Sequence, residues 1–484
     1  MVSTISKTKY KNGLQCHRLF WFSVNQPEAL PPFDEAAQFR FDQGHEVGNF
    51  AKMLFPDGIE VPHDGNMVKN TPELINQRKK IFEASLSYNK TFAKPDILKP
   101  VGKEEWDLIE VKSSTQVKDE HIDDIAFQRY VVEGSGLRTR RCEEIFINNE
   151  YVRDGEINPA KLLNQEDVTE LVSQQLPLVE GNVKEMHRVL SLQKPPDISI
   201  GPHCSKPYSC PLKEKCWAFL PEHNVTELYR SKKQGFELIK EGILRIADVP
   251  VDFKLSVNQK IQKEAITRGK PIVNKKQIKD FLNGLEYPVY CLDFETFDVA
   301  IPPFSGTRPY QKIPFQFSLH VIKKPGGDVE FHEFLADDRE NFAPDLVKAL
   351  KVIGPKGTVL AYNMTFEKQV LQVLGSLSPK DAAWLQGIAD GLQDLIVPFR
   401  SFSYYHPDQH GRCSLKFVLP CLSGGRGYDD MEIGEGGTAS RRYYMTHFRE
   451  CSKEEKEKVR KDLLEYCKLD TEGMVEILRA FEEM

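Results

Sequence analysis

A chain of 484 residues, 40% hydrophobic and 28% charged, has a soluble globular composition and is too long for one ordinary core, so two domains with a linker are expected. The formal net charge of −6 excludes a uniformly cationic nucleic-acid coat, and no apolar run is long enough for a membrane span or a secretory leader; a cytoplasmic location is expected. Ten cysteines in such a chain argue against a disulfide framework and for thiols, some of them ligands.

The first expected domain, residues 1–222, mixes helices with a few strands. Its clearest strand is Trp106 to Lys112, where period two places Glu110 and Lys112 on one face. A helix is expected from Ile122 to Glu133, a strand from Glu143 to Ile147, and a long helix from Val168 to Leu192 that stops at Pro195-Pro196. Residues 223–284 read as a basic helical connector broken by glycines and prolines. From Thr226 to Asp280 there are 13 Lys and Arg against 7 Asp and Glu, a difference of +6; this charge fits a phosphate backbone and fits equally a solvated helical face. The last domain, residues 285–484, opens with the apolar strand Pro288 to Thr296. Strands near Phe315–Ile322 and Val329–Phe334, joined tightly enough to be antiparallel, come next. Helix and strand then alternate: Asn341–Ile353, Thr358–Tyr362, Phe366–Leu374, Ala382–Ala389. A charged helix from Lys453 to Glu483 closes the chain.

Asp96, Glu110 and Lys112 supply what metal-dependent phosphodiester cleavage needs: carboxylates for a divalent cation, and an ammonium group to steady the attacking water or the pentavalent charge. Their spacing is the PD-(D/E)XK pattern, although Glu-x-Lys on a strand is also common as a solvated edge. Cys16 stands far from Cys204, Cys210 and Cys216; if one metal group binds all four, it ties together the ends of the first domain. Zinc also takes four thiolates, but commonly through Cys-x-x-Cys pairs, which are missing here. In the last domain Asp293 and Glu295 share a face of an apolar strand, and two carboxylates so placed repel unless a cation separates them. Glu367 opens a helix, and Tyr466 and Asp470, four apart, share a helical face. Asp394 is either a further acidic contributor or a turn cap.

The ordered set Ser6-Lys7, Cys16-His17-Arg18-Leu19-Phe20-Trp21-Phe22, Gly44-His45-Glu46-Val47-Gly48, Asp96, Glu110-Val111-Lys112-Ser113-Ser114, Gln128-Arg129-Tyr130 and the cysteine triplet resembles RecB-family nucleases that carry an iron-sulfur cluster, including the AddB nuclease domain. The resemblance implies a restriction-endonuclease-like α/β fold of the PD-(D/E)XK type. It also implies Asp96, Glu110 and His45 as ligands for magnesium or manganese, Lys112 as the catalytic cation, and Gln128 and Tyr130 in the DNA channel. Cys16, Cys204, Cys210 and Cys216 would hold a 4Fe-4S cluster. Asp293-Phe294-Glu295, Asn363-Met364-Thr365-Phe366-Glu367 and Tyr466 with Asp470 resemble the three motifs of DEDD exonucleases, within the ribonuclease H-like (DnaQ-like) fold. That likeness implies Asp293, Glu295, Glu367 and Asp470 as ligands for two metal ions and Tyr466 as the group orienting the attacking water, in an enzyme that trims 3′ ends. The second motif departs from the pattern, with Glu367 where Asp is usual. The whole layout looks like a bacterial family whose C-terminal part is known only as a domain of unknown function.

The expected function is a metal-dependent exonuclease with two active sites acting on DNA ends or single strands in repair or defence, alongside a helicase or another repair or defence protein. The alternatives are an RNA exonuclease, a nucleic-acid-binding scaffold in which one or both folds have lost activity, and a nuclease whose cluster senses oxidants.

Overall fold

In the computed structural model, which describes residues 4–62, 67–337, 342–425 and 427–484, the strand expected at Trp106–Lys112 runs from Glu105 to Lys112. It lies inside a six-stranded sheet. The order is Ile59–Glu60, Ile81–Phe82, Ile97–Val101, Glu105–Lys112, Arg138–Ile147 and Leu163–Asp167. Ile97–Val101 pairs antiparallel with Glu105–Lys112, and the helix Asp119–Gly134 then crosses over to bring Arg138–Ile147 alongside in parallel. The pleat divides the central strand between two cores. Trp106 and Leu108 pack with Ile125, Phe127 and Val131 of the crossover helix, and Ile109 packs with Val47, Ile97 and Ile145 on the other side. The long helix Thr169–Leu190 buries Val172, Val179, Val183, Met186 and Val189, a spacing that keeps one apolar stripe inward.

The chain divides into two units: residues up to Phe219 together with Val299–Tyr310, and Leu220–Asp298 together with Gln311–Met484. Residues 299–310, a Pro- and Gly-rich loop that the sequence assigns to the last domain, thus complete the first unit. Ala300 and Ile301 join the core around Val47 and Ile109. The Ala300 amide donates to Gln43 Oε1 at 2.8 Å, Arg153 Nη1 donates to the carbonyls of Pro302 (2.9 Å) and Pro303 (2.6 Å), and the Tyr310 hydroxyl donates to the Ser113 carbonyl.

The second unit is built on a five-stranded sheet ordered Val329–Leu335, Ile313–Ile322, Val289–Phe297, Thr358–Ala361 and Gln393–Asp394. The first two junctions are antiparallel, the first as its short connection predicts, and the last two are parallel. Tyr290, Leu292 and Phe294 enter the core made with the helices Ala343–Leu350, Thr365–Leu377 and Ala382–Gly391. Asn341, the expected start of the first of these helices, lies outside the described residues. Residues of opposite parity face the terminal helix Lys453–Glu483. Gln316 Nε2 donates to the Leu463 carbonyl at 2.8 Å, and Ser318 Oγ donates to the Cys467 carbonyl at 2.5 Å. The stretch expected to form a separate connector belongs to this unit. Its helices Lys232–Lys240, Val257–Arg268 and Lys275–Asn283 lie in the same cluster, and its short strand Ile272–Val273 pairs with Tyr404–Tyr405. No helix among the described residues is long and apolar enough to cross a membrane.

Candidate active sites

In the first unit the pleat puts Glu110 and Lys112 on the face that meets the crossover helix, and there they find two partners four residues apart. Lys112 Nζ lies 2.5 Å from Glu110 Oε1 and 2.6 Å from Asp124 Oδ2, and Gln128 Nε2 donates to Glu110 Oε2 (2.7 Å) and Asp124 Oδ1 (3.1 Å). Lys7, from the first helix Lys7–Gln15, reaches the same carboxylates at 2.8 Å from Glu110 and 3.8 Å from Asp124. Burial by itself would raise the Glu110 pKa, but Lys112 and Lys7 together hold it well below the ordinary carboxylate range. Asp96 stands at the start of the neighbouring strand and accepts the Val111 amide at 2.7 Å; burial and the Glu110 charge push its pKa up to about 7.

Asp96, Glu110 and Lys112 open with His45 onto a cleft of about 890 Å³, whose wall also carries Arg40 and Lys94. His45 is exposed on the helix Glu35–Lys52. Gln128 is fully buried and holds the carboxylates from behind, and its Oε1 has no hydrogen-bond partner among the described residues. Tyr130 does not line that cleft; its ring is 5.3 Å from Tyr88 and its hydroxyl accepts from Asn89. Sequence reasoning misses Lys7 and Asp124. Asp124 carries a usable signal, since it stands one helical turn before Gln128 in a helix whose pattern is plain; Lys7 carries only its place in the motif order.

Cys16, Cys204, Cys210 and Cys216 lie near one another in the first unit, three of them packed against its main core. Burial pushes the Cys210 thiol up to about 11, and the nearby Cys16, Cys204 and Cys216 sulfurs act in the same direction. Among the described residues, the groups of three or more ligand atoms lying within 4.8 Å of one another are elsewhere.

In the second unit Asp293 and Glu295 project from the central strand toward the terminal helix, where Asp470 meets them; one carboxylate oxygen from each lies within 4.8 Å of the others. Glu367 sits in the first turn of the helix Thr365–Leu377, after a turn in which Asn363 takes a left-handed φ of 73°. Asp394 Oδ1 holds that turn by accepting the Asn363 (2.9 Å) and Ile396 (3.1 Å) amides, so its placement is that of a turn cap.

Burial, with Asp470, Glu295 and Glu367 adding repulsion, raises the Asp293 pKa well above normal; burial, then Asp470 and Glu367, does the same to Glu295. Burial takes Glu367 up to about 8 and Asp470 up to about 7. Tyr428 donates to Asp470 Oδ1 at 2.6 Å, Tyr466 hydrogen-bonds the same carboxylate, and Lys416 adds positive charge nearby. Glu367 is 2% exposed, and its Oε2 is buried with no partner among the described residues. Crowded carboxylates, an orphaned oxygen and all-oxygen donors are a set that hard divalent cations fit. Tyr428 and Lys416 are invisible to sequence reasoning, because nothing local marks them.

Residues 290–414 match the model of a family described as a domain of unknown function, DUF2779. The matched span holds Asp293, Glu295 and Glu367 and ends before Tyr466 and Asp470. No curated protein matches the chain.

Proposed function

We propose that the chain is a divalent-metal-dependent exonuclease acting on DNA ends or single strands, with one active site in each unit. The observation that carries the reading is the convergence of Asp293, Glu295 and Asp470 within 4.8 Å, beside a buried Glu367 whose Oε2 has no partner among the described residues. Support for a ribonuclease H-like fold comes from the five-strand order, in which only the second strand in sequence runs against the others. Support for a PD-(D/E)XK fold comes from the antiparallel pair, crossover helix and parallel third strand around Glu110 and Lys112.

Magnesium or manganese, when bound, would polarise the scissile phosphate and lower the pKa of a water. Asp293, Glu295, Glu367 and Asp470 would hold it in the second unit, and Asp96, Glu110 and His45 in the first. Tyr428 keeps Asp470 oriented, and Tyr466, bonded to the same carboxylate, is placed to position a water. Lys112 neutralises Glu110 and Asp124 and sits where an ammonium group can meet developing phosphate charge. The cysteine quartet would hold an iron-sulfur cluster that fixes Cys16 to the 204–216 segment. A groove of about 430 Å³ beside the Asn363 turn, lined by Tyr229, Arg230, Tyr362 and Arg400, offers stacking rings and cations of the kind that grip a single strand.

A second reading follows from Glu110, whose oxygens are already taken by Lys7, Lys112 and Gln128: the first site binds nucleic acid without cutting it. End-labelled single-stranded DNA, anaerobically prepared protein and manganese distinguish the two. The proposal expects wild type to degrade from both labelled ends, with Lys112→Ala and Asp293→Ala each losing one polarity. Degradation abolished by Asp293→Ala and untouched by Lys112→Ala selects the binding role for the first site. An inert wild type with its cluster present refutes DNA exonuclease activity.

A further inference from the structure

Away from both carboxylate sites, the second unit brings together two histidines and a glutamate from distant parts of the chain. His223 and Glu227 flank and end the one-turn helix Val225–Glu227, and His410 follows the one-turn helix Pro407–Gln409, 183 residues beyond Glu227. One ligand atom from each of the three lies within 4.8 Å of the other two. His410 Nδ1 is 3.1 Å from Glu227 Oε2, and the two imidazoles stack at 5.1 Å between centroids and 25° between planes.

Three independent features show that this is a built arrangement. Both histidines hold left-handed backbone, with φ of 53° at His223 and 48° at His410, a conformation that costs a non-glycine residue about 1–2 kcal/mol and persists only where other contacts impose it. The other Glu227 oxygen accepts from Asn224 Nδ2 at 3.1 Å, so the carboxylate is oriented from behind as metal-bound carboxylates are. His223 Nδ1 is buried and has no hydrogen-bond partner among the described residues, a deficit worth about 1–3 kcal/mol that protein groups leave uncorrected. The two segments also meet closely, because a Cβ built on Gly411 would stand 2.2 Å from the Glu227 carbonyl oxygen.

We propose that His223, Glu227 and His410 bind one divalent transition ion of the zinc class, clasping the start of the second unit to the 407–413 loop. Two imidazole nitrogens and one carboxylate oxygen match zinc rather than magnesium. Metal bonds of about 2.0–2.1 Å in a tetrahedron imply ligand-to-ligand edges of about 3.3 Å, close to the 3.1 Å between His410 and Glu227. A cleft of about 330 Å³ lined by Glu222, His223 and Arg245 opens beside His223. The clasp stands apart from the catalytic proposal and survives its failure.

The test is anaerobic titration of metal-depleted full-length protein with Zn²⁺ against a chromophoric chelator, and with Co²⁺ followed by absorbance. Beyond the ions taken by the carboxylate and thiol sites, wild type should take up one ion whose cobalt bands carry no thiolate charge transfer, and Cys204→Ser should keep that signal. His410→Ala should lose it, as should Glu227→Gln, which preserves shape and guards against misfolding. Equal uptake with the same cobalt spectrum in wild type, His410→Ala and Glu227→Gln would overturn the assignment, as would a cobalt signal carried by thiolates and abolished in Cys204→Ser.

Discussion

Replacing Asp293 by asparagine should make the metal-free protein more stable while abolishing cleavage by the second unit. Asp293 faces Glu295 and Asp470 with oxygens within 4.8 Å. At an effective dielectric constant of about 20, two unit charges at that distance repel by about 3 kcal/mol. Proton uptake limits the strain that accumulates, since burial raises the Asp470 pKa from 3.8 to about 7 and lets it take up a proton near neutral pH. Neutralising Asp293 should therefore return about 2–3 kcal/mol, or roughly 5–10 °C for a unit of this size. Little bonding is given up in exchange, because the Cys467 thiol lies 3.6 Å from Asp293 Oδ2 and an asparagine oxygen can still accept from it. Differential scanning calorimetry of the full chain, in chelator and again in manganese, reads both effects. Wild type should gain stability with manganese, and Asp293→Asn should start higher and gain little. A variant less stable than wild type in chelator, with an undiminished manganese shift, would show that the carboxylates are held by their hydrogen bonds and not poised for a cation.

Lys112→Ala leaves Glu110 and Asp124 as buried charges short of a partner and should cost about 3–5 kcal/mol in denaturant titrations, with part recovered in the double variant with Asp124→Asn; no recovery would contradict a shared ion pair. Burial lowers the His320 pKa from 6.5 to about 4, with Glu472 opposing and Lys468 reinforcing, while Nδ1 lies 2.8 Å from Thr471 Oγ1. The neutral ring is favoured in the folded state, so its contribution is complete above pH 6.5 and is lost as pH falls toward 4, up to about 3 kcal/mol. Melting temperatures of His320→Gln should fall less steeply over that window than those of wild type. Gly235→Ala places a Cβ 2.4 Å from the Val225 carbonyl oxygen and should cost about 1–3 kcal/mol, weakening zinc uptake by moving the 225–227 turn; normal melting with normal uptake would show the approach to be slack.

The central strands, the crossover helix and the terminal helix are legible because period-two and helical patterns act over neighbouring residues. Asp293 and Glu295 are legible for the same reason, since parity on an apolar strand fixes a shared face before any partner is known. Lys7, Tyr428 and Lys416 are not, because each acquires its role only when remote segments approach. The connector's place is less legible: glycine and proline breaks mark where its helices stop but carry no sign that they group with the last domain in one compact unit. His223, Glu227 and His410 lie too far apart in the chain to read as a group, and two of the three depend on unusual backbone at non-glycine positions.

The segment Val299–Tyr310 sets an order of events during synthesis. The first unit's main stretch ends at Phe219 and its last piece begins at Val299, 299 − 219 = 80 residues later. At about 5–20 residues per second a ribosome takes roughly 4–16 s to cover that interval. Through that time Val47, Ile97 and Ile109 lack the cover of Ala300 and Ile301, and Arg153 lacks its proline carbonyls. A fragment ending at residue 222 reproduces this waiting state permanently. Studies that divide the protein into halves should therefore supply residues 299–310 as a peptide or a graft.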